Sequence, residues 1–276
     1  MKDEATALAR ETSETVDEVL PGGVANAGAV VRSGDHVLRP SNHHSPSVHR
    51  FLGWLREQGF DGASCPVGID PDGRERLEFI EGDVPIPPYP AWAQTDEALA
   101  SAALLVRRLH DVSAAYDTNG SSWNHDLADP QGGPVMGHND ICLENVVFRD
   151  GVAVGLLDFD YAAPARRTYD LAQFARMCVP VDDDVNAARL GWSPASRPSR
   201  LRLVADAHDL DRAERAELLA FVDASIRAAG GFVRRRVEAG APGFVAMWND
   251  MGGQERFDRR ARWWDDQADE FAVALR

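Results

Sequence analysis

A chain of 276 residues, 44% of them apolar, is long enough to build one large domain or two lobes around a real core. Its formal net charge of -15 argues against a nucleic-acid or anionic-membrane surface, which would need clustered Lys and Arg, and suits a cationic partner better. Cys65, Cys142 and Cys178 are too few and too scattered for a disulfide framework or a zinc-ligand pair. The N-terminus, MKDEATALARETSETVDEVL, has neither a basic nor an apolar signal region, so the chain is expected to be soluble and cytoplasmic.

In chain order, Gly22-Gly23 precedes a hairpin signal, in which Ala29-Val30-Val31-Arg32 and Val37-Leu38-Arg39 flank the turn Ser33-Gly34-Asp35. A helix follows, with Ser45 as cap, Pro46 at the first helical position, Val48, Phe51, Leu52 and Leu55 on one face, and Gly59 as the stop. Leu77-Glu78-Phe79-Ile80 reads as another strand. The run Gly82-Asp83-Val84-Pro85-Ile86-Pro87-Pro88 then reads as a hinge. The chain therefore divides into an N-terminal lobe, residues 1–82, of a small sheet with one helix, and a mainly helical lobe, residues 83–276.

Beyond the hinge, Thr95 caps a helix that buries Ala98, Ala102, Leu105, Leu109 and Val112. Two late amphipathic runs follow, Leu218 to Val237 and Phe257 to Leu275, with Gly230-Gly231 a candidate break in the first. Asp182-Asp183-Asp184 reads as a solvated loop.

The chemistry concentrates in His138-Asn139-Asp140-Ile141-Cys142-Leu143-Glu144-Asn145, followed by Val146-Val147-Phe148, a turn at Arg149-Asp150-Gly151, and Val154 to Asp160. Two apolar runs across Asp-Gly predict a hairpin that makes Asn145 and Asp158 neighbours. A carbonyl oxygen beside a carboxylate is a donor set that suits magnesium, which completes its shell with waters and substrate phosphates. Asp140, five residues before Asn145, falls where a base could meet a substrate hydroxyl. His138 fits a buried hydrogen-bonding role.

The spacing H-x-D-x-x-x-x-N followed by an apolar D-F-D resembles the catalytic and metal-binding loops of kinases. With no Arg after His138, DFD in place of DFG and no APE segment, it resembles the aminoglycoside phosphotransferases and related protein-kinase-like small-molecule kinases. The resemblance implies an α+β, two-lobed protein-kinase-like fold. It also implies Asp140 as catalytic base, Asn145 and Asp158 as magnesium ligands, Asp160 near the metal, and Asp170 as a brace for the loop. ATP or GTP would lie between the lobes and donate to a hydroxyl of a small acceptor, for which a cationic molecule is one option. Gly22 and Gly23 would cover the phosphates, and the backbone of Glu78, Phe79, Ile80 and Glu81 would meet the purine edge.

Arg39 stands where such kinases place a lysine against the phosphates. The glutamate expected on the following helix to orient that cation is missing, which leaves His43, His44 or His49 as substitutes in position and a nucleotide-binding pseudokinase as the alternative reading.

Overall fold

The computed structural model describes residues 17–21, 23, 24, 26 and 28–276; Gly22 lies outside the described residues. The first part of the described chain is a five-stranded antiparallel sheet in the order β1-β2-β3-β5-β4, made of β1 (Glu18–Val19), β2 (Val31–Ser33), β3 (His36–Pro40), β4 (Pro66–Ile69) and β5 (Arg74–Glu78). The β2–β3 turn falls at Gly34-Asp35, and Ser33 pairs with His36. β5 ends at Glu78, so Phe79 and Ile80 belong to the connection rather than to the strand.

Helix α1 (Ser45–Glu57) buries Val48, Phe51, Leu52 and Leu55 on one face. Its N-cap is His44, without a side-chain cap bond. Ser45 is the first helical residue, because its hydroxyl is turned back to accept the Asn42 N–H at 2.9 Å. Phe51 is fully buried, its ring centroid 4.9 Å from Tyr116, 6.2 Å from Trp123 and 6.3 Å from Phe159. α1 is thus anchored in the helical part of the molecule as well as under its own sheet, and removing a ring so enclosed typically costs about 3–5 kcal/mol.

The remainder is mainly helical. Thr95 caps α2 (Asp96–Ser113) by accepting the Ala98 N–H. After α2 come β6 (Val135–Gly137), β7 (Val146–Arg149), β8 (Val152–Leu156) and β9 (Ala163–Ala165). β6 pairs with β9, and β7 pairs with β8. The tight β7–β8 turn holds Asp150 at φ 52° and Gly151 at φ 77°, the left-handed pair that a two-residue hairpin of this hand requires.

Helices α3 (Arg167–Cys178), α4 (Asp184–Arg189), α5 (Arg197–Ala207), α6 (Arg212–Glu238), α7 (Pro242–Asp250) and α8 (Gly253–Ala274) complete the chain. α6 runs unbroken through Gly230-Gly231. Gly230 is a contact point, since a Cβ there would come 3.0 Å from the Phe257 ring of α8. No helix among the described residues is long and apolar enough to cross a membrane.

The β7–β8 hairpin is tied to the preceding part of the chain. Asp83 and Phe148 exchange backbone hydrogen bonds at 2.8 Å each, and Leu156 N–H reaches Gly62 O at 2.9 Å. Gly82 makes the approach possible: at φ 147°, a Cβ there would come 2.6 Å from a Val147 methyl group. The hairpin that carries Asn145 and Asp158 is therefore fastened beneath the sheet that carries Arg39.

Candidate active site

A cleft of about 350 Å³ opens between the sheet and the hairpin. Val37, Leu77 and Ile80 form part of one wall, with Val147, Leu156 and Phe159 opposite. This volume and lining suit a flat aromatic base. Gly155 lets the walls close, because a Cβ there would meet Ile80 at 2.7 Å. Of the residues named from the sequence, Gly23, Arg39, Phe79, Ile80, Asn145 and Asp158 line the cleft.

Glu78 and Glu81 turn their side chains outward to Arg56 and Arg32. The backbone N–H groups of Glu78 and Phe79 are already bonded to Cys65 O and Asp35 O, and Glu81 O accepts from Arg149. Glu78 and Glu81 do not line the cleft, whereas Phe79 and Ile80 between them do.

Asp140 is not among the residues that line this cleft; it rides on the loop between β6 and β7 that leads to Asn145. Its frame consists of buried groups. Asp170, at the start of α3, accepts the Asn139 N–H at 2.6 Å and lies 2.8 Å from His110 Nε2; His110 and Asp170 are both fully buried. Burial alone would raise the Asp170 carboxyl, but the hydrogen bond and charge of His110, with His138, hold it below the ordinary value. His138 packs 4.5 Å from the Phe159 ring and places Nε2 2.8 Å from Leu157 O. Burial lowers its pKa, and Nε2 donates to that carbonyl.

Asn139 takes a left-handed φ of 64° and uses its side-chain amide to bond Tyr161 O at 2.9 Å. These bonds pin the loop before Asp140, and Cys178 Sγ donates to Ile141 O at 3.6 Å just after it.

Asn145 and Asp158 end up side by side. Leu157 N–H donates to Asn145 O at 2.9 Å, and Asp158 follows at φ 63°, a left-handed turn that redirects its carboxylate out of the strand line. Asn145 Nδ2 donates to Asp140 O at 2.9 Å, which ties the two loop residues together and turns Oδ1 the other way. The donor set of amide oxygen and carboxylate fits a hard cation such as magnesium that shares its shell with phosphate oxygens. Desolvation, then the charge of Asp158, pushes Asp140 up to about 7.

Across the cleft, Arg39 sits among three carboxylates. Its Nε lies 2.5 Å from Glu75, Nη1 2.6 Å from Asp158 and Nη2 2.5 Å from Asp160. Burial opposes its charge, but Asp158, Asp160 and Glu75 more than offset this and raise its pKa.

The orienting glutamate that the sequence appeared to lack on α1 is Glu75, which stands directly opposite Arg39 on β5. α1 contributes His49 instead, with Nε2 2.6 Å from the other Glu75 oxygen. His43 and His44 are not part of this chain of contacts. Glu144 was also missed. It lines the cleft beside Asn145 and accepts a 2.8 Å hydrogen bond from Tyr89, whose phenol burial keeps protonated. An acidic residue immediately before a candidate metal ligand was the available signal.

Asp182-Asp183-Asp184 is not a solvated loop. Asp182 and Asp183 are buried, paired with Arg256 at 2.5 Å and Arg259 at 2.7 Å, and Asp183 also caps α4. Only Asp184 is exposed.

A small antiparallel sheet with one helix, set over a helical part that carries the Asp140 loop and its hairpin, is the kinase-like architecture. Solved structures share it. A choline/ethanolamine kinase family protein from Mesorhizobium loti aligns at TM-score 0.63 and 16% identity, over 96% of this chain and 94% of that one. Aminoglycoside 2'-phosphotransferase-IIIa in its GDP complex aligns at TM-score 0.59 and 14% identity, over 91% and 94%. The model of the phosphotransferase enzyme family (APH) matches residues 121–203, which include Asp140, Asn145 and Asp158. A trifolitoxin immunity protein from Rhizobium leguminosarum bv. trifolii is 36% identical over 214 residues, 75% of this chain and 78% of that protein. The chain belongs to the phosphotransferase enzyme family.

Proposed function

We propose that the protein is a magnesium-dependent small-molecule kinase that moves the γ-phosphoryl group of ATP or GTP to a hydroxyl of its acceptor. One arrangement carries the reading: Asn145 and Asp158 meet at the open end of one hairpin, with Asp140 hydrogen-bonded to Asn145 at its entry. Asn145 Oδ1 and the Asp158 carboxylate would hold magnesium, which when bound neutralises charge on the nucleotide phosphates.

The base of the nucleotide fits between the apolar walls, with Ile80 at the hinge and Gly23 on the side of the phosphates. Arg39, oriented by Glu75 and His49, exchanges its contacts with Asp158 and Asp160 for phosphate oxygens. The acceptor hydroxyl gives its proton to the Asp140 carboxylate as its oxygen bonds to the γ-phosphorus. The bond from that phosphorus to the β–γ bridging oxygen breaks, and the nucleoside diphosphate leaves. Alignment and charge neutralisation supply most of the acceleration.

The immunity function named for the relative from R. leguminosarum suggests one biological setting, in which the acceptor is a toxic compound inactivated by phosphorylation. A metabolic alcohol is the other.

A second reading, nucleotide binding without transfer, is favoured by the contact of Arg39 with Asp158, which places a fixed cation on the candidate metal ligand. Magnesium-dependent release of ADP or GDP, measured against aminoglycosides, sugars and amino alcohols, separates the two. Acceptor-stimulated turnover that is lost in Asp140→Asn is the expected result. Nucleotide binding with no stimulated turnover, or turnover that persists in Asp140→Asn, would contradict the assignment.

A further inference from the structure

Next to the catalytic loop lies a group of arginines that the reaction described above does not use. α3 runs along that loop: Asp170 at its start holds Asn139, and Cys178 at its end donates to Ile141 O at 3.6 Å. Arg176 lies two residues before Cys178 and within electrostatic reach of Asp140: burial lowers the Arg176 guanidinium, and the charge of Asp140 opposes that shift without cancelling it. Behind it, α8 presents Arg256 and Arg260 one turn apart, only 5% and 2% exposed. The three guanidinium groups are close enough that Arg176 and Arg256 each lower the pKa of Arg260, which burial has already depressed; it stands at about 9.

The cluster is short of negative charge. Asp182 pairs with Arg256 and Asp183 with Arg259, while Arg176 and Arg260 have no carboxylate within ion-pair distance among the described residues. The bonds of Arg176 are a Met177 sulfur at 3.0 Å and a long contact to Gln173 at 3.5 Å; Arg260 donates to the Ile226 carbonyl at 3.2 Å, and Arg256 and Arg260 both lie over the Phe257 ring, 5.2 and 5.5 Å from its centroid. Arg176 Nε, Arg256 Nε and Nη1, and Arg260 Nε are buried without a partner. Unpaired buried guanidinium N–H groups are costly, and Arg176, the member of the three that is coupled to Asp140, is the one placed to offset that cost by receiving an anion. The chain as a whole is acidic, 44 Asp and Glu against 29 Lys and Arg, so this concentration is not a reflection of its composition.

We propose that the phosphoryl acceptor carries an anionic group, a carboxylate or a phosphate, which Arg176 receives beside Asp140 with Arg256 and Arg260 supplying the field behind it. This deepens the kinase reading and rests on it, and it replaces a cationic acceptor with an anionic one. Arg176 is the half-buried member of the three, and therefore the one an incoming anion meets. Guanidinium groups recognise carboxylate and phosphate in a fork, which would turn the hydroxyl of a bound acceptor toward a fixed point.

The test has two arms on the full chain. In the first, nucleoside diphosphate release is compared for hydroxy acids, sugar phosphates and the uncharged or amine-bearing alcohols of matching size. In the second, the binding of inorganic phosphate is followed by thermal shift with magnesium and ADP already saturating. Arg176→Met and Arg176→Lys are compared with wild type in both, after circular dichroism has shown that each is folded.

The expected result is preference for an anionic acceptor, with hydroxy acids against sugar phosphates telling which anion it is. Arg176→Met should raise KM for that acceptor by about 30-fold or more with a smaller change in kcat, Arg176→Lys should recover part of the loss, and the phosphate shift should disappear in Arg176→Met. Turnover confined to amine-bearing or uncharged alcohols, or a phosphate shift that is absent in wild type or unchanged in Arg176→Met, overturns the proposal and leaves the kinase reading standing. Phosphate binding at Arg176 in a protein that transfers to no acceptor keeps the anion site and sinks the kinase reading.

Discussion

Asp140 rides on a loop whose anchors are short, directional and sealed from water: Asp170 against His110 and the Asn139 N–H, and His138 against Leu157 O. Arg39, on the other side of the cleft, is held by charge at its rim, by Asp158 and Asp160, which keep part of their surface open, and by a buried Glu75. Desolvated hydrogen bonds of the first kind are costly to break and indifferent to salt. Contacts of the second kind can be traded for phosphate oxygens. The two regions accordingly differ in what can change: the loop is a fixed platform, and the cation above it has contacts that a phosphate could replace.

Substitutions can break that comparison or sharpen it. The largest effect on folding is expected from Asp170→Asn, which removes the charge facing His110 and should cost about 3–5 kcal/mol in chemical denaturation. The pH dependence has a definite sign. A carboxyl held below its ordinary value of 3.8 contributes stability that is complete above that value and is lost as pH falls through the folded-state value. Wild type should therefore lose stability on the acid side more steeply than Asp170→Asn, and parallel acid limbs would show that Asp170 is not held in this way.

Glu75→Gln should weigh the other way, with the nucleotide KM rising by roughly 10-fold and a smaller loss of stability than in Asp170→Asn, since Arg39 keeps its contacts with Asp158 and Asp160. A large loss of stability with unchanged KM would reverse the assignment of roles. Asp211→Ala, at the capping box of α6 and remote from both regions, sets the baseline: about 1 kcal/mol lost in thermal unfolding and no change in nucleotide affinity.

The same contrast explains what could be read from the chain before its structure was in view. The loop and hairpin are local: Asp140, Asn145 and Asp158 lie within nineteen positions, and an Asp-Gly turn fixes their relation, so spacing alone predicts that Asn145 and Asp158 meet. The α2 cap at Thr95 and the amphipathic stripes were legible for the same reason. The support of Arg39 was not, because Glu75 reaches it through the register of β3 against β5, separated by a helix and a strand. Nor was the burial of Asp182 and Asp183, whose partners Arg256 and Arg259 lie on the last helix; three consecutive aspartates look solvated until those arginines are placed. Ser45 failed as a cap for a smaller reason, a competing bond to Asn42.

Asp140 and Asp158 are assigned separate tasks, so the most direct measurement is nucleotide affinity and turnover taken side by side for Asp140→Asn and Asp158→Asn across a magnesium titration. The account predicts that Asp140→Asn binds magnesium nucleotide as wild type does while turnover falls by about 100-fold or more, and that Asp158→Asn loses the magnesium dependence of binding itself. Nucleotide binding that keeps its magnesium dependence in Asp158→Asn, or turnover that survives in Asp140→Asn, would contradict it.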